Sequence, residues 1–431
     1  MNTVTADRSY VLLVALPAFP LGEGCFAVES AFALHLRLLR RKLGRLASDM
    51  VLVAPRMTDE QYQAQRSHLF QVDEAREGIR LQALFPAEIG KLSYLLKLPT
   101  VMRALHRLVR NAAVVHGSNS TLYRPFEFAG LLMGRALGAK TISVTDIDNR
   151  QTARMNLKTG RWTFKQYLVT RLLHDSFTHL QQLIGVRLFS LVLLKGSELV
   201  RDYGAGRGNV KNFLDAAFNE SMIISPPTLD AKLRALLDPS TPLSVVYFGR
   251  LVAYKGVDHM LRAFHCALAL GAKNIRLRII GGGPELDALR SLAATLALGE
   301  TVTFEGPMSF EDIFAHLYGC HLLLAAPLSP DTPRNALDAM AAGQAVVAYD
   351  TAYYRELGTA GAAVELCPWL DAEAMGKRIV ALARDRRRLA ELITQGVTFA
   401  RSNTQEVWLA RRVGWTLDLF GGSAAGAGPG A

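Results

Sequence analysis

The sequence predicts an α/β protein with two doubly wound domains. Its 431 residues exceed what one compact core usually holds. Short apolar runs of strand type alternate with helical patterns along both halves, as a parallel sheet covered by helices requires. Between the halves, residues 219–242 carry two proline-containing turn signals typical of a linker. We therefore expect domains at residues 1–220 and 221–403, a helix at 404–420 and a disordered tail at 421–431.

Composition places the chain among globular proteins, because half of its residues are hydrophobic. No apolar run is long enough to span a bilayer, and the N-terminus lacks the pattern of a secretion signal. We therefore expect a cytoplasmic protein, peripheral on the inner face of the plasma membrane if it binds a membrane. The net charge of +11 predicts an anionic partner, and no motif favours nucleic acid. The four cysteines show no metal or redox spacing, so no metal site is expected from them.

The first half begins with a strand at residues 10–16. We then predict helices at 28–46, 59–65, 89–109 and 126–137, strands at 50–54, 114–117, 140–144 and 190–194, and mostly helical structure from 158 to 189. His116 stands at the carboxyl end of its strand. The glycines of the loop 17–24 do not complete a dinucleotide-binding fingerprint, so a nicotinamide oxidoreductase is the least favoured interpretation.

The second half repeats the same scheme. We predict strands at 245–249, 275–280, 301–304, 322–326 and 345–349, with helices at 257–270, 333–342, 372–384, 388–396 and 405–420. The last helix carries Trp408 and Trp415 at helical spacing, and we expect both to pack on a domain surface.

Two cations follow the strand at 245–249. Gly249 allows a close backbone approach, and Arg250 and Lys255 bring positive charge to the carboxyl end of the strand. Open α/β sheets bind their ligands at that edge. Because Arg and Lys both bind phosphate oxygens, the pair suits a diphosphate. The alternative is a pair of solvated surface charges beside a turn.

Three stretches of the second half resemble the donor domain of the family 4 retaining glycosyltransferases, which have the two-domain B-type (GT-B) fold. They are Phe248-Gly-Arg-Leu-Val-Ala-Tyr-Lys-Gly-Val-Asp258, Ile280-Gly-Gly-Gly-Pro284 and Leu337-Asp-Ala-Met-Ala-Ala-Gly343. The resemblance implies two Rossmann-like domains facing a cleft, the N-terminal one binding the acceptor and the C-terminal one binding the nucleotide-sugar donor. The first half resembles the family more loosely, through its strand order and His116.

The same resemblance implies roles for individual residues. His116 would close on the reacting sugar. The donor residues that it implies are Arg250 and Lys255 on the diphosphate of a UDP- or GDP-sugar, Gly282 and Gly283 along the nucleotide cleft, and Met308 beside the base. Neither a cofactor nor a metal ion is expected, because protein cations and helix termini already offset the charge of the diphosphate.

The sequence departs from the family at a pair of glutamates separated by seven residues. The second falls on Asp338, a carboxylate able to accept two ribose hydrogen bonds, whereas the first falls on Pro330. Asp331 is the candidate replacement near the sugar hydroxyls, and Arg334 is a candidate third cation. Alternatively, Asp331 or Thr332 only caps the following helix, and Arg334 pairs with Asp338.

The predicted function is transfer of a hexosyl or N-acetylhexosaminyl group from a nucleotide-diphosphate sugar to an acceptor hydroxyl with retention. The setting would be bacterial-type polysaccharide or glycolipid assembly, with a glycan or a lipid-linked acceptor. The candidate catalytic residues are His116, Arg250, Lys255 and Asp331. The non-enzymatic alternative is a degenerate protein that binds a nucleotide sugar as a partner subunit, because the first glutamate is missing.

Asp146-Ile147-Asp148 raises a metal-dependent alternative, because D-x-D after a strand resembles the manganese site of the A-type glycosyltransferases. We instead place Asp146, Asp148 and Arg150 on the acceptor side, as contacts to sugar hydroxyls or phosphate. Helix capping and a local ion pair are the plain alternative.

Basic residues alternate with leucines in two helices of the first half. They are Arg37, Arg40, Arg41, Lys42 and Arg45 in one helix, and Lys91, Lys97, Arg103, Arg107 and Arg110 in the other. Such a surface on the acceptor domain predicts docking to an anionic membrane. Ordinary amphipathic helices with solvated arginines are the alternative.

Overall fold

The computed structural model describes residues 8–147 and 149–421, and these residues form two compact α/β units. Of the described residues, the first unit comprises 8–147, 149, 168–213 and 408–421, and the second comprises 150–167 and 214–407. The chain thus enters the second unit before residue 220, the predicted end of the first domain. The segment 150–167 joins the second unit without any linker pattern in the sequence. Asp148 and the predicted tail from residue 422 onward lie outside the described residues.

The first unit is built on a seven-stranded parallel sheet. Strands of this unit are β1 (Ser9–Leu13), β2 (Phe19–Gly22), β3 (Cys25–Glu29), β4 (Met50–Arg56), β5 (Leu69–Asp73), β6 (Ile79–Pro86), β7 (Ala112–Ser118), β8 (Lys140–Thr145), β9 (Leu191–Leu194) and β10 (Val210–Asn212). The large sheet has the order β10-β9-β8-β7-β1-β4-β6. From β1 the chain adds β4 and β6 on one side, and from β7 it adds β8, β9 and β10 on the other side. The carboxyl ends of β1 and β7 therefore flank a topological switch point.

Helices cover both faces of this sheet. The helices of the chain up to residue 213 are α1 (Ser30–Leu43), α2 (Asp59–Gln65), α3 (Glu74–Glu77), α4 (Lys91–Val109), α5 (Phe126–Ala136), α6 (Asn149–Lys158), α7 (Phe164–Val169), α8 (Asp175–Leu188) and α9 (Ser197–Leu199). Of these, residues 150–158 of α6 and 164–167 of α7 belong to the second unit. Successive residues of β1 alternate between two apolar clusters, because Tyr10 and Leu12 join one while Val11 and Leu13 join the other. The unit therefore has a core on each face of its sheet.

A small antiparallel sheet of β2, β3 and β5 was not predicted. Because β3 occupies residues 25–29, the first helix begins at Ser30 and not at the predicted residue 28. Phe26 and Val28 are buried in β3, where residues 25–29 pair with β5. An apolar run of this length fits a strand as well as a helix, so its periodicity alone could not decide.

The second unit contains a six-stranded parallel sheet. Its strands are β11 (Leu243–Phe248), β12 (Ile275–Ile280), β13 (Val302–Gly306), β14 (Leu322–Ala325), β15 (Ala345–Tyr349) and β16 (Val364–Cys367). They pair in the order β13-β12-β11-β14-β15-β16. This is the doubly wound order, and its switch point lies between β11 and β14.

The helices that follow residue 213 are α10 (Pro226–Leu237), α11 (Val257–Ala269), α12 (Leu286–Thr295), α13 (Phe310–Leu317), α14 (Asn335–Ala341), α15 (Ala352–Thr359), α16 (Ala372–Arg384), α17 (Arg386–Arg401) and α18 (Gln405–Asp418). α10 lies within the stretch predicted as a linker. Ser225 caps it and prolines occupy its first turn, so the turn signals there mark a helix start.

The C-terminal helix α18 packs on the first unit from Trp408 onward, which confirms that it returns to a domain surface. Leu409 and Val413 are buried in the same cluster as β1, and Trp408 and Trp415 pack against that cluster. Across the described residues, no helix is both long enough and apolar enough to span a membrane.

Candidate functional site

The candidate donor site lies where β11 ends at the switch point of the second unit. After Phe248 the chain passes through Gly249 and Arg250 to a 3-10 turn that ends at Lys255. Gly256 follows with φ of 65°, and a Cβ there would stand 1.9 Å from the carbonyl oxygen of Ala326. Only glycine lets the turn approach the end of β14 this closely. The sequence therefore fixes Lys255 beside the residues that follow β14.

Asp331 is one of those residues, and its carboxylate forms an ion pair with the ammonium group of Lys255. The two side chains are only 16% and 18% exposed. The alternative in which Asp331 or Thr332 caps the next helix is wrong, because α14 begins at Asn335 and Arg334 occupies the cap position. Two residues distant in sequence, each following one strand of the switch point, thus meet in one site.

Arg250 is exposed and contacts Tyr254. Its Nη2 atom donates to the Tyr254 hydroxyl over 3.0 Å, and the Tyr247 hydroxyl donates to the Arg250 carbonyl oxygen over 2.9 Å. The Tyr254 ring centroid lies 5.4 Å from Lys255 Nζ and 5.9 Å from the guanidinium carbon of Arg161. Two cations therefore lie near the ring of Tyr254 and a third contacts its hydroxyl group. Arg161 belongs to the segment 150–167, which no sequence motif had linked to this site.

The glycine-rich loop after β12 lies against the loop that carries Arg250. The Leu251 amide donates to the Gly282 carbonyl oxygen over 2.9 Å. A Cβ on Gly283 would stand 2.3 Å from the Leu251 carbonyl oxygen, whereas one on Gly282 would make only ordinary contacts with Pro307. Met308, after β13, is half-buried against an apolar cluster of the same unit. The structure thus brings Gly282 and Gly283 next to the loop of Arg250.

Asp338 lies deeper than its predicted ribose contact suggests, because its residue is only 5% exposed. Burial raises the pKa of its carboxyl to about 7, while Arg334 and hydrogen bonds from the Phe218 and Ala217 amides oppose that rise. Its Oδ1 atom has no hydrogen-bond partner among the described residues. Asp338 therefore binds the backbone of residues 217–218, near the start of the second unit. A direct contact with a ribose would require the Asp338 carboxylate to become exposed.

His116 belongs to the first unit, where it lies on β7 next to β1. Its Nδ1 atom and the Tyr10 hydroxyl oxygen are 2.7 Å apart. Burial, with smaller contributions from the charges of Arg412 and His35, lowers the pKa of His116 to about 3. The imidazole is therefore neutral at physiological pH.

A buried carboxyl group that the sequence analysis missed lies at the switch point of the first unit. Glu127, in the first turn of α5, is 4% exposed and accepts a hydrogen bond of 2.7 Å from the Ser118 hydroxyl at the end of β7. Burial raises the pKa of Glu127 to about 7, against hydrogen bonds from Ser118 and the Ala15 amide. The only signal in the sequence was a carboxylate inside the apolar run of residues 126–132.

Asp146 follows β8 and is exposed. Asp148 lies outside the described residues, so the D-x-D alternative is described only in part. Within residues 8–147 and 149–421, no group of three His, Cys, Asp or Glu side chains is placed to hold a metal ion.

Comparison with known proteins finds sequence similarity in the second unit. Residues 230–398 match the family model of glycosyl transferases group 1. A GDP-mannose-dependent alpha-(1-6)-phosphatidylinositol monomannoside mannosyltransferase of Mycolicibacterium smegmatis is 30% identical over 178 residues, which are 39% of this chain and 45% of that protein. The chain spans less than half the length of the curated relatives it matches. The similarity to glycosyl transferases group 1 thus lies within the second unit.

Solved structures extend the likeness to both units. Anabaena HepE, in complex with UDP and glucose, superposes with a TM-score of 0.62 at 15% identity, over 96% of this chain and 100% of that one. WaaG, a glycosyltransferase involved in lipopolysaccharide biosynthesis, has a TM-score of 0.61 at 11% identity, with the same coverage of 96% and 100%. These similarities show the fold, and they confirm the predicted pair of Rossmann-like domains of the B-type glycosyltransferases.

Proposed function

We propose that the protein is a retaining glycosyltransferase that moves a sugar from a nucleotide-diphosphate sugar to an acceptor hydroxyl. The observation that carries this proposal is the placement of Arg250 and Lys255 at the switch point of a group 1 glycosyltransferase unit, with Asp331 across from Lys255. Cations at this edge neutralise the charge that develops on a departing diphosphate. Family 4 and the hexosyl or N-acetylhexosaminyl class of the sugar belong to the same proposal.

The proposed donor is a UDP- or GDP-sugar. HepE has been solved with UDP, and the mycobacterial relative is named as GDP-mannose-dependent, which supports both bases. In our proposal the diphosphate contacts Arg250 and Lys255, and Arg334 adds positive charge from the start of α14. The nucleotide lies along Gly282, Gly283 and Met308.

The proposed chemistry uses positioning and charge. The bond from the anomeric carbon to the diphosphate oxygen breaks, and its electron pair leaves with the diphosphate. The acceptor oxygen bonds to the same face of that carbon, and its proton passes to a diphosphate oxygen. His116 is neutral, so its proposed role is a hydrogen bond to the reacting sugar and not charge neutralisation.

We propose that transfer needs no divalent metal, because Arg250, Lys255 and Arg161 supply positive charge around Tyr254. Activity should survive excess EDTA. Loss of activity in EDTA that manganese restores, together with loss in Asp146→Asn and Asp148→Asn, would favour the D-x-D alternative.

The proposed acceptor is a glycan or a lipid-linked glycan in polysaccharide or glycolipid assembly, used at the inner face of the plasma membrane. On α4, Leu92, Leu95 and Leu96 are 71%, 61% and 76% exposed between exposed Lys91 and Lys97. Apolar side chains flanked by lysines suit the surface of an anionic membrane. By contrast, Arg37 of α1 is bound to Glu77, and Arg40 donates to backbone carbonyl groups. We therefore place the docking surface on α4.

A panel of UDP-, GDP- and ADP-sugars tests the proposed function. Thermal shifts identify the donor, and hydrolysis or transfer is then followed by mass spectrometry, with the anomeric configuration of the product read by NMR. We expect turnover of at least one donor and a product with the donor's configuration. A folded protein that binds a nucleotide sugar without any turnover would support the partner-subunit alternative.

A further inference from the structure

The ion pair of Lys255 and Asp331 neutralises one of the two cations assigned to the diphosphate. Both side chains are largely buried, and they come from the loops after adjacent strands β11 and β14. Arg250, by contrast, is exposed and donates to the Tyr254 hydroxyl. Of these two cations, Arg250 is therefore accessible, and Lys255 is held by a carboxylate.

Two phenols near Asp331 donate their hydrogen bonds to backbone carbonyl groups and not to its carboxylate. The Tyr247 hydroxyl donates to the Arg250 carbonyl oxygen over 2.9 Å, and the Tyr353 hydroxyl donates to the Pro333 carbonyl oxygen over 2.9 Å. The pKa of both phenols is raised, mainly by burial and next by the negative charge of Asp331. Both phenols are therefore close enough to Asp331 to be influenced by its charge. When a diphosphate takes up the charge of Lys255, Asp331 needs a new donor to remain stable in this partly buried position.

Only the nucleotide sugar brings such a donor beyond its diphosphate. A nucleotide sugar carries sugar hydroxyls beyond its diphosphate, and a hydroxyl can donate to a carboxylate. The free nucleoside diphosphate carries a terminal phosphate instead, and its additional negative charge repels Asp331. The repulsion is strong because the effective dielectric constant of a partly buried site is lower than that of water.

We propose that Asp331, the counter-charge of Lys255, sets the discrimination between the nucleotide sugar and the free nucleoside diphosphate. A hydroxyl of the bound sugar donates a hydrogen bond to Asp331, whereas the terminal phosphate of the free diphosphate is repelled by its negative charge. This inference rests on the proposed function and specifies how the donor site releases its product. Asp331 tightens the binding of the sugar form relative to the product form, and the product leaves as Lys255 returns to Asp331.

The test compares dissociation constants by calorimetry for UDP and UDP-glucose, and for GDP and GDP-mannose, in wild type and Asp331→Asn. We expect Asp331→Asn to bind the free diphosphate on the order of tenfold more tightly. Its affinity for the matching sugar nucleotide should stay equal or fall, so that the ratio of the two constants drops. Asp230→Asn is the matched control. Asp230 is an exposed aspartate on α10 of the same unit, so its substitution removes the same charge away from the site.

Asp331→Glu keeps the charge and should keep the ratio, which separates the charge from the shape of the side chain. Asp331→Ser provides a second neutral variant if Asp331→Asn does not fold. A ratio that is unchanged in the neutral variants, or that moves equally in Asp331→Glu, would overturn this inference while leaving nucleotide binding intact. Failure of the wild type to bind any nucleotide would instead contradict the proposed function itself.

Discussion

The imidazole of His116 and the phenol of Tyr10 share a hydrogen bond of 2.7 Å between neighbouring strands of the first unit. Their rings meet edge to face, with centroids 5.9 Å apart. The Tyr10 phenol is itself held neutral, because burial raises its pKa. A neutral pair of this kind orients the imidazole, since the partner at Nδ1 fixes which ring nitrogen is left to bind another group.

His116 should therefore remain unprotonated between pH 5 and 8. Because burial lowers its pKa to about 3, its ring proton signals in NMR should not shift between pH 5 and 8. His116→Gln should lower kcat about 10-fold or more with a smaller effect on donor KM, since one hydrogen bond in the transition state is lost. The exposed His68 of the same unit is the control, and His68→Gln should leave kcat unchanged. A His116 titration midpoint above pH 6 would contradict the assignment.

Arg250→Ala and Lys255→Ala should each weaken the binding of a nucleoside diphosphate without unfolding the second unit. Each lost charge-assisted hydrogen bond should cost about 1.5 to 3 kcal/mol in calorimetric titrations with UDP or GDP. Lys255→Ala also leaves Asp331 without its ion pair, so we expect it to lower the melting temperature more than Arg250→Ala does. Arg276, exposed on β12, supplies the control Arg276→Ala. Unchanged affinity in both site variants would rule out the proposed diphosphate contacts.

The parallel sheets and the edge that carries Arg250 could be predicted because both depend on local patterns. Apolar strands and the glycines beside them leave a signal within a few residues. Contacts between distant residues leave no such signal. Asp331 meets Lys255 only because β14 lies beside β11, and Arg161 reaches Tyr254 only because the segment 150–167 belongs to the second unit.

The burial of Asp338 and the small antiparallel sheet escaped prediction for the same reason. Asp338 is covered by residues 215–218, whose position depends on how the chain enters the second unit. The strand β3 depends on pairing with β5, which lies on the far side of α1, β4 and α2 in the sequence. A motif match can propose a role for such residues, but their burial follows from tertiary packing.

Glu127 should make the stability of the first unit fall as pH rises from about 4.5 to 7. Its pKa is about 7 in the folded protein against an ordinary 4.5, so the folded state binds more protons than the unfolded state in this window. Stability contributed by the protonated form is thus present below the window and lost through it. Glu127→Gln removes the titration and should be more stable than wild type at pH 8, by up to about 3 kcal/mol.

Urea unfolding followed between pH 4.5 and 8 measures this difference. The control is Glu60→Gln, because Glu60 is exposed on α2 of the same unit. A wild-type and a Glu127→Gln protein with parallel pH curves would show that Glu127 does not titrate in this range.

Membrane docking through α4 predicts binding to anionic but not to neutral vesicles. Changing Leu92, Leu95 and Leu96 together to Ser should abolish pelleting with vesicles that contain phosphatidylglycerol, because the exposed apolar side chains can no longer enter the interface. Changing Lys91 and Lys97 to Gln should weaken binding by about 1 kcal/mol for each lysine, and added salt should have a similar effect. Arg41→Gln on α1, where Arg41 is exposed, should bind as wild type does if α4 is the docking helix. Equal binding to phosphatidylcholine vesicles, or a stronger loss in Arg41→Gln than in the leucine variant, would contradict docking through α4.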